Sequence, residues 1–117
     1  MELKISSRSR DVAVVTVSGE IDLYTAPRLR SGLIEALDDG VRRLVVDMSR
    51  TEFCDSTGIS VLLSAMKRSR GKGGDVELVA PKAAVRKVLE VTGLDEVFTI
   101  HRDLDALPVA AGTGNAP

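Results

Sequence analysis

Residues 44–66 read LVVDMSRTEFCDSTGISVLLSAM, and this stretch predicts a buried strand followed closely by a helix. Val41 to Met48 is a nearly continuous aliphatic run after its two arginines, which is typical of a central strand covered on both faces. Ile59 to Met66 is also apolar, and we expect a helix from Thr57 to about Arg70 that ends at the glycine-rich segment 71–74.

A serine stands where this helix should begin, in Asp55-Ser56-Thr57-Gly58. Serine is a preferred N-cap, and a glycine lets another surface come close to the backbone. The first-turn N–H groups and the helix dipole favour negative charge at such a position. Ser56 therefore has two interpretations: a residue that only caps the helix, or a hydroxyl that can gain and lose a phosphate.

The sequence on both sides continues the alternation of strands and helices. The other expected elements, with their bounds, are two paired strands at 3–7 and 12–18, a helix at 25–39, a strand at 76–80, a helix at 82–92 ended by Gly93, a strand at 97–100 and a short closing helix at 103–107. This order predicts an α/β domain over residues 1–108 with a largely parallel sheet. We expect residues 109–117 to form a flexible tail.

Composition excludes several classes of function. The chain has 117 residues, of which 16 are basic and 17 acidic, so its net charge is −1 and we expect no nucleic-acid binding. It has no apolar run of about 18 residues and no apolar signal-peptide core after Met1, which predicts a cytoplasmic protein without membrane contact.

The residue inventory also argues against catalysis and metal binding. A single cysteine, Cys54, and a single histidine, His101, cannot form a disulfide, a Cys/His zinc site or a thiol–imidazole pair. Ser56 has no Gly-x-Ser-x-Gly elbow, and Gly71-Lys72-Gly73-Gly74 follows a helix instead of opening one as a P-loop does. We therefore expect no enzyme activity, no cofactor and no metal.

The predicted second helix leaves one question open. Val61, Leu62, Ala65, Met66 and Ser69 share an arc that we take as the face on the sheet. Ile59 and Leu63 fall off this arc on the side of Ser56. They form either an exposed apolar contact stripe or a surface covered by another element. Because they lie away from the presumed core face, we expect at least Ile59 to be exposed and to contact a partner. We expect Cys54 and Phe53 to form an apolar plug beneath the loop.

Four segments stand in order within residues 3–107: VTVSGEID at 15–22, VVDMS at 45–49, FCDSTGI at 53–59 and VTGL at 91–94. On these residues the chain resembles the STAS domain of bacterial anti-sigma factor antagonists. The resemblance implies a small mixed sheet of about five strands whose first two are antiparallel, with about four helices mainly on one side. Cys54 occupies a position that is usually another apolar residue.

The resemblance also implies partner switching. In this family the unphosphorylated antagonist binds an anti-sigma factor that is a serine kinase, which frees the sigma factor; phosphorylation of the motif serine, here Ser56, separates the pair, and a PPM-type phosphatase reverses it. Asp22 matches an acidic residue that helps to position or recognise the kinase, and Ile59 matches an apolar contact. The expected partner-binding set is Asp22, Asp55, Thr57, Gly58, Ile59 and Leu63.

Two further expectations come from the resemblance. One is that the chain is a monomer or a weak dimer. The other is an alternative function, in which a STAS subunit regulates a membrane transporter such as a lipid-transport ATPase and uses the same motif for docking without phosphorylation.

Overall fold

Five strands and three α-helices follow one another along residues 1–106, the part of the chain that the structure, a computed structural model, describes. Their bounds are β1 Glu2–Ser7, β2 Val12–Ile21, α1 Ala26–Asp38, β3 Arg43–Cys54, α2 Ser56–Arg70, β4 Asp75–Val79, α3 Ala83–Val91 and β5 Thr99–His101. Two short 3-10 turns, Leu94–Glu96 and Leu104–Ala106, flank β5.

The strands form a single mixed sheet in the order β1-β2-β3-β4-β5. β1 is antiparallel to β2, and β2, β3, β4 and β5 are parallel to one another. Because each right-handed crossover steps in the same direction across the sheet, the crossover helices lie on one face. Their apolar residues, among them Leu33, Leu62 and Leu89, meet the sheet in one core. The predicted α/β fold with an N-terminal hairpin is confirmed.

The helix count is lower than expected within the described residues. There are three α-helices instead of about four, because the expected closing helix is only the 3-10 turn Leu104–Ala106. The expected tail at 109–117 lies outside the described residues. The third helix ends as predicted: Gly93 adopts a left-handed φ of 76°, and its N–H donates to the Glu90 carbonyl at 3.1 Å.

Strand β3 is longer than the sequence indicated, since it continues past Met48 to Cys54. The extension pairs only with β2, and its register shifts twice. Each shift adds one β3 residue without a partner, first between the pairs Thr16–Asp47 and Ser18–Arg50 and then between Gly19–Thr51 and Glu20–Phe53. Between the two shifts, the buried Thr51 hydroxyl donates a hydrogen bond to the Val17 carbonyl at 2.8 Å, which satisfies an acceptor inside the core. The bulged extension carries the chain to the far edge of the sheet.

The sheet face opposite the helices carries a buried ionic cluster. Glu77, which is 5% exposed, accepts hydrogen bonds from the Arg43 Nε and Nη2 atoms and lies 2.6 Å from His101 Nε2. Burial alone would raise the pKa of Glu77, but the bonds to Arg43 and His101 outweigh it, so the pKa lies below its ordinary value.

We predict that Glu77→Gln lowers stability in a pH-dependent way. A carboxylate whose folded pKa is depressed contributes stability above its unfolded pKa of about 4.3, and that contribution is lost as the pH falls through the lower folded value. In urea unfolding, the difference in unfolding free energy between wild type and Glu77→Gln should be largest near neutral pH and shrink below about pH 4. Glu90→Gln, in an exposed pair with Arg86, is the control. A difference independent of pH would contradict the assignment.

Candidate functional site

The ends of β2 and β3 bring two loops together at one edge of the sheet. Ile21 and Cys54 are the last register partners of these strands, and the Asp55 N–H donates to the Ile21 carbonyl at 3.0 Å. The loop 22–25 therefore lies beside the segment 55–58. We call this region, with its two loops, the carboxyl edge.

The N-cap of α2 is Asp55 and not Ser56. The Asp55 backbone is extended, and its Oδ1 atom accepts hydrogen bonds from the N–H groups of Thr57 at 2.9 Å and Gly58 at 3.0 Å. The helix therefore begins at Ser56, one residue earlier than expected. Two first-turn N–H groups that could bind an anion are already taken by this carboxylate.

Ser56 is exposed at the first position of the helix. Its hydroxyl makes no hydrogen bond with the rest of residues 1–106. Thr57 is half-buried, and its N–H is held by Asp55. Of the two adjacent hydroxyl residues, Ser56 is the one whose side chain is displayed to solvent.

Asp22 shapes the neighbouring loop. Its Oδ1 atom accepts from the Tyr24 N–H at 2.9 Å, the Thr25 N–H at 3.0 Å and the Thr25 hydroxyl at 3.2 Å. These bonds, the Thr25 N–H first, lower the pKa of Asp22 below its ordinary value. Asp22 is thus an ionised residue that folds the loop around itself, and direct contact with a partner stays a prediction.

Gly58 serves the core and not an approaching surface, contrary to the expectation for this residue. It is buried, and a Cβ atom there would lie 2.5 Å from Ile21 Cγ2 and 2.6 Å from Cys54 Sγ. Cys54 is buried as predicted, and burial raises its pKa to about 12, so its thiol stays protonated at neutral pH. Phe53 is not part of a plug, because it is 46% exposed.

The prediction that Ile59 is exposed is wrong. Ile59 is 4% exposed and belongs to the main core, while Leu63 is half-buried and packs against that core. At 100° per residue the buried arc of α2 is centred on Leu62, so Ile59 lies about 60° from its centre. The structure agrees with the other alternative, in which this side of α2 is covered by other elements of the fold.

Three apolar residues near the carboxyl edge are exposed; the sequence analysis did not single out two of them and expected the third, Phe53, to be buried. Leu23 is 64% exposed, Tyr24 is 86% exposed, and both lie in the loop after β2, while Phe53 lies near the end of β3. We call these three the apolar rim of the carboxyl edge. The sequence did contain a signal for an apolar surface here, because two of the three aromatic residues of the chain stand within three positions of Asp22 or Ser56.

The described residues were also compared with the requirements of a metal site and of a membrane-spanning helix. Within residues 1–106, the structure contains no group of three His, Cys, Asp or Glu side chains that could hold a metal ion. No helix in this same range has the length and apolar character needed to span a bilayer.

Comparison with known proteins agrees with this fold. The chain belongs to the STAS domain family, whose model matches residues 5–107. It is 35% identical over 102 residues to the anti-sigma-F factor antagonist RsfB of Mycobacterium tuberculosis, covering 86% of this chain and 83% of that protein. It is 30% identical over 101 residues to the anti-sigma-B factor antagonist of Listeria monocytogenes, covering 86% of this chain and 88% of the relative. A crystal structure of an anti-sigma factor antagonist from Mycobacterium paratuberculosis superposes with a TM-score of 0.81 at 35% identity, covering 89% and 87% of the two chains.

We predict that Ile59→Ala destabilises the protein by about 2–5 kcal/mol, because it opens a cavity in the core. The exposed-site control is Val91→Ala, at a residue that is 74% exposed, which should change the unfolding free energy by less than about 0.5 kcal/mol. Urea unfolding measures both. If both variants were equally stable, Ile59 would not be the core residue that the structure shows.

Gly58→Ala should cost about 1–3 kcal/mol despite the better helix propensity of alanine, since its Cβ has no room beside Ile21 and Cys54. Gly71→Ala is the matched control, because a Cβ at Gly71 meets its nearest neighbour at an ordinary 3.4 Å and the backbone there is right-handed. Equal thermal denaturation midpoints for the two variants would show that the core accommodates the methyl group.

Proposed function

We propose that this chain is an anti-sigma factor antagonist whose binding to its anti-sigma factor is controlled by phosphorylation of Ser56. The observation that carries the proposal is the Ser56 side chain, exposed at the head of α2, next to the loop that displays Leu23 and Tyr24. The two antagonists at 30% and 35% identity support it and favour it over a subunit of a lipid-transport ATPase.

The apolar rim is the surface that we assign to the partner. Exposed aromatic and large aliphatic residues are common anchors of protein interfaces, and Tyr24 is the most exposed of the large apolar residues described. Asp22 and Asp55 each hold their loop in place by accepting hydrogen bonds from backbone N–H groups two and three residues further along the chain. The partner therefore meets a preformed surface, which reduces the entropy lost on binding.

Phosphorylation would change this surface without unfolding it. A phosphoserine adds about −1.5 to −2 charges, and at Ser56 it would stand next to the Asp55 carboxylate that already holds the helix N–H groups. A partner that packs on the rim must then desolvate or repel this charge. A loss of about 2.7 kcal/mol already weakens a complex a hundredfold.

Two further proteins take part in the proposed cycle of phosphorylation and dephosphorylation. The anti-sigma factor is itself the serine kinase that phosphorylates Ser56, and a PPM-type phosphatase restores the hydroxyl, with all three proteins in the cytoplasm. The chain supplies the acceptor and the docking surface, and its effect on transcription is indirect.

Ser56 should be the single phosphoacceptor. After incubation with the cognate anti-sigma kinase and ATP, intact mass should show one added phosphate on wild type and on Thr57→Val, and none on Ser56→Ala. Ser56→Ala should stay bound to the kinase in the presence of ATP, and Ser56→Asp should bind it poorly. A stoichiometric phosphate on Ser56→Ala would overturn the assignment.

Tyr24→Ala should weaken binding of the unphosphorylated protein to the anti-sigma factor by at least about tenfold, or about 1.4 kcal/mol. Its stability should change by less than about 0.5 kcal/mol, because the side chain is exposed. Isothermal titration calorimetry gives the affinity, with Val91→Ala as a control for an exposed apolar residue on a helix end away from Ser56. Unchanged affinity for Tyr24→Ala would move the interface away from the rim.

A further inference from the structure

A groove with an apolar floor runs along the seam between α1 and α2. It consists of two adjoining cavities of about 220 and 280 Å³ that share Arg68 in their linings. The floor is formed by the buried Leu33, Leu37 and Ala65. We call this the α1–α2 groove. Neither Ser56 nor the apolar rim lines it.

The rim of the α1–α2 groove is cationic. Four exposed basic side chains line it, namely Arg30, Arg42, Arg68 and Lys72, against one carboxylate, that of Asp38. Asp38 pairs with Arg68 at 3.0 Å, and this pair is open to solvent. Within the described chain, the side-chain nitrogens of the other three cations form no hydrogen bond or ion pair.

The side walls of the groove are also apolar. Ile34, Val41 and Val61 line it and are only half-buried, so part of their hydrocarbon surface faces the cavity and not the core. The free energy falls when a bound ligand removes apolar surface of this kind from water.

We propose that the α1–α2 groove binds a small anionic amphiphile, a single aliphatic chain with a carboxylate head. The chain would lie on the half-buried Ile34 and Val61 above the buried Leu33, and the head would accept hydrogen bonds from arginine at the rim. Guanidinium groups bind carboxylates through paired N–H donors and are more weakly hydrated than ammonium groups. The two cavities together approach the size of ordinary small-ligand sites.

The charge of the groove rim favours an anionic amphiphile over a cationic or a neutral one. A cationic amphiphile would meet three unpaired cations at the rim, and a neutral alcohol of the same length would gain only the apolar contact. The proposal is independent of the phosphorylation of Ser56, because Ser56 and its loop do not line the groove.

Octanoate, used as a soluble monomer, tests the proposal. In a titration followed by amide chemical shifts, saturable changes should be confined to the residues of α1 and α2 that line the groove. Octanol should bind at least about tenfold more weakly, which corresponds to the loss of about 1.4 kcal/mol. Ser56→Ala should bind octanoate like the wild type, so this result does not depend on the proposed partner switching.

Variants identify the groups responsible. Arg30→Gln combined with Arg68→Gln should weaken octanoate binding by about tenfold or more. Arg86→Gln, which removes an exposed arginine of α3 that lies outside the groove, should leave it unchanged. Ser64→Phe, at an exposed lining residue, should block the site. Equal affinity for octanol, insensitivity to the arginine changes, or binding only to anionic vesicles would each overturn the proposal.

Discussion

The parallel pairing of β2 with the bulged end of β3 is the constraint on which the candidate site depends. Two register shifts let β3 run beside β2 as far as the Ile21 and Cys54 pair, and the Asp55 N–H then bonds to the Ile21 carbonyl at 3.0 Å. That single bond ties the segment before α2 to the end of β2. Together with the Ile21–Cys54 pair, this bond holds the loop shaped by Asp22 beside the segment that contains Ser56. The buried Thr51 hydroxyl supports the same arrangement, because it satisfies a β2 carbonyl where the ladder is interrupted.

At the head of α2, structural and chemical tasks fall on neighbouring residues. Asp55 binds two first-turn N–H groups, and Gly58 leaves space for Ile21 and Cys54. Because these two residues anchor the helix start, the hydroxyl of Ser56 is not needed for it. A serine that acted as the N-cap would lose its hydrogen bond to the helix whenever its hydroxyl was modified. Placing the cap one residue earlier removes this conflict, so modification of Ser56 need not disturb the fold.

Much of the fold followed from periodicity, whereas the site needed tertiary information. Strands, helices and the N-terminal hairpin were predictable, since aliphatic runs and helical spacing depend on local sequence. The end of β3 was not, because the polar residues after Met48 are held in a strand by pairing with β2 alone. The error on Ile59 has a similar origin: a modest rotation of α2 about its axis moves a residue across the boundary of the core, and that rotation is set by packing. The exposure of Tyr24 likewise depends on a loop folded around Asp22.

The position of Ser56 also determines where a phosphate would act. At the first residue of a helix, added negative charge is favoured by the dipole but opposed by the Asp55 carboxylate, which already occupies the nearby N–H groups. These two local effects have opposite signs, so each offsets part of the other in the free energy of unfolding. The same charge has no such compensation at an interface, because a partner covering the apolar rim would exclude the water that solvates it. One modification can therefore change the affinity for a partner strongly and the stability of the fold only slightly. This is the physical requirement for a reversible switch, in which the protein stays folded through each cycle of modification.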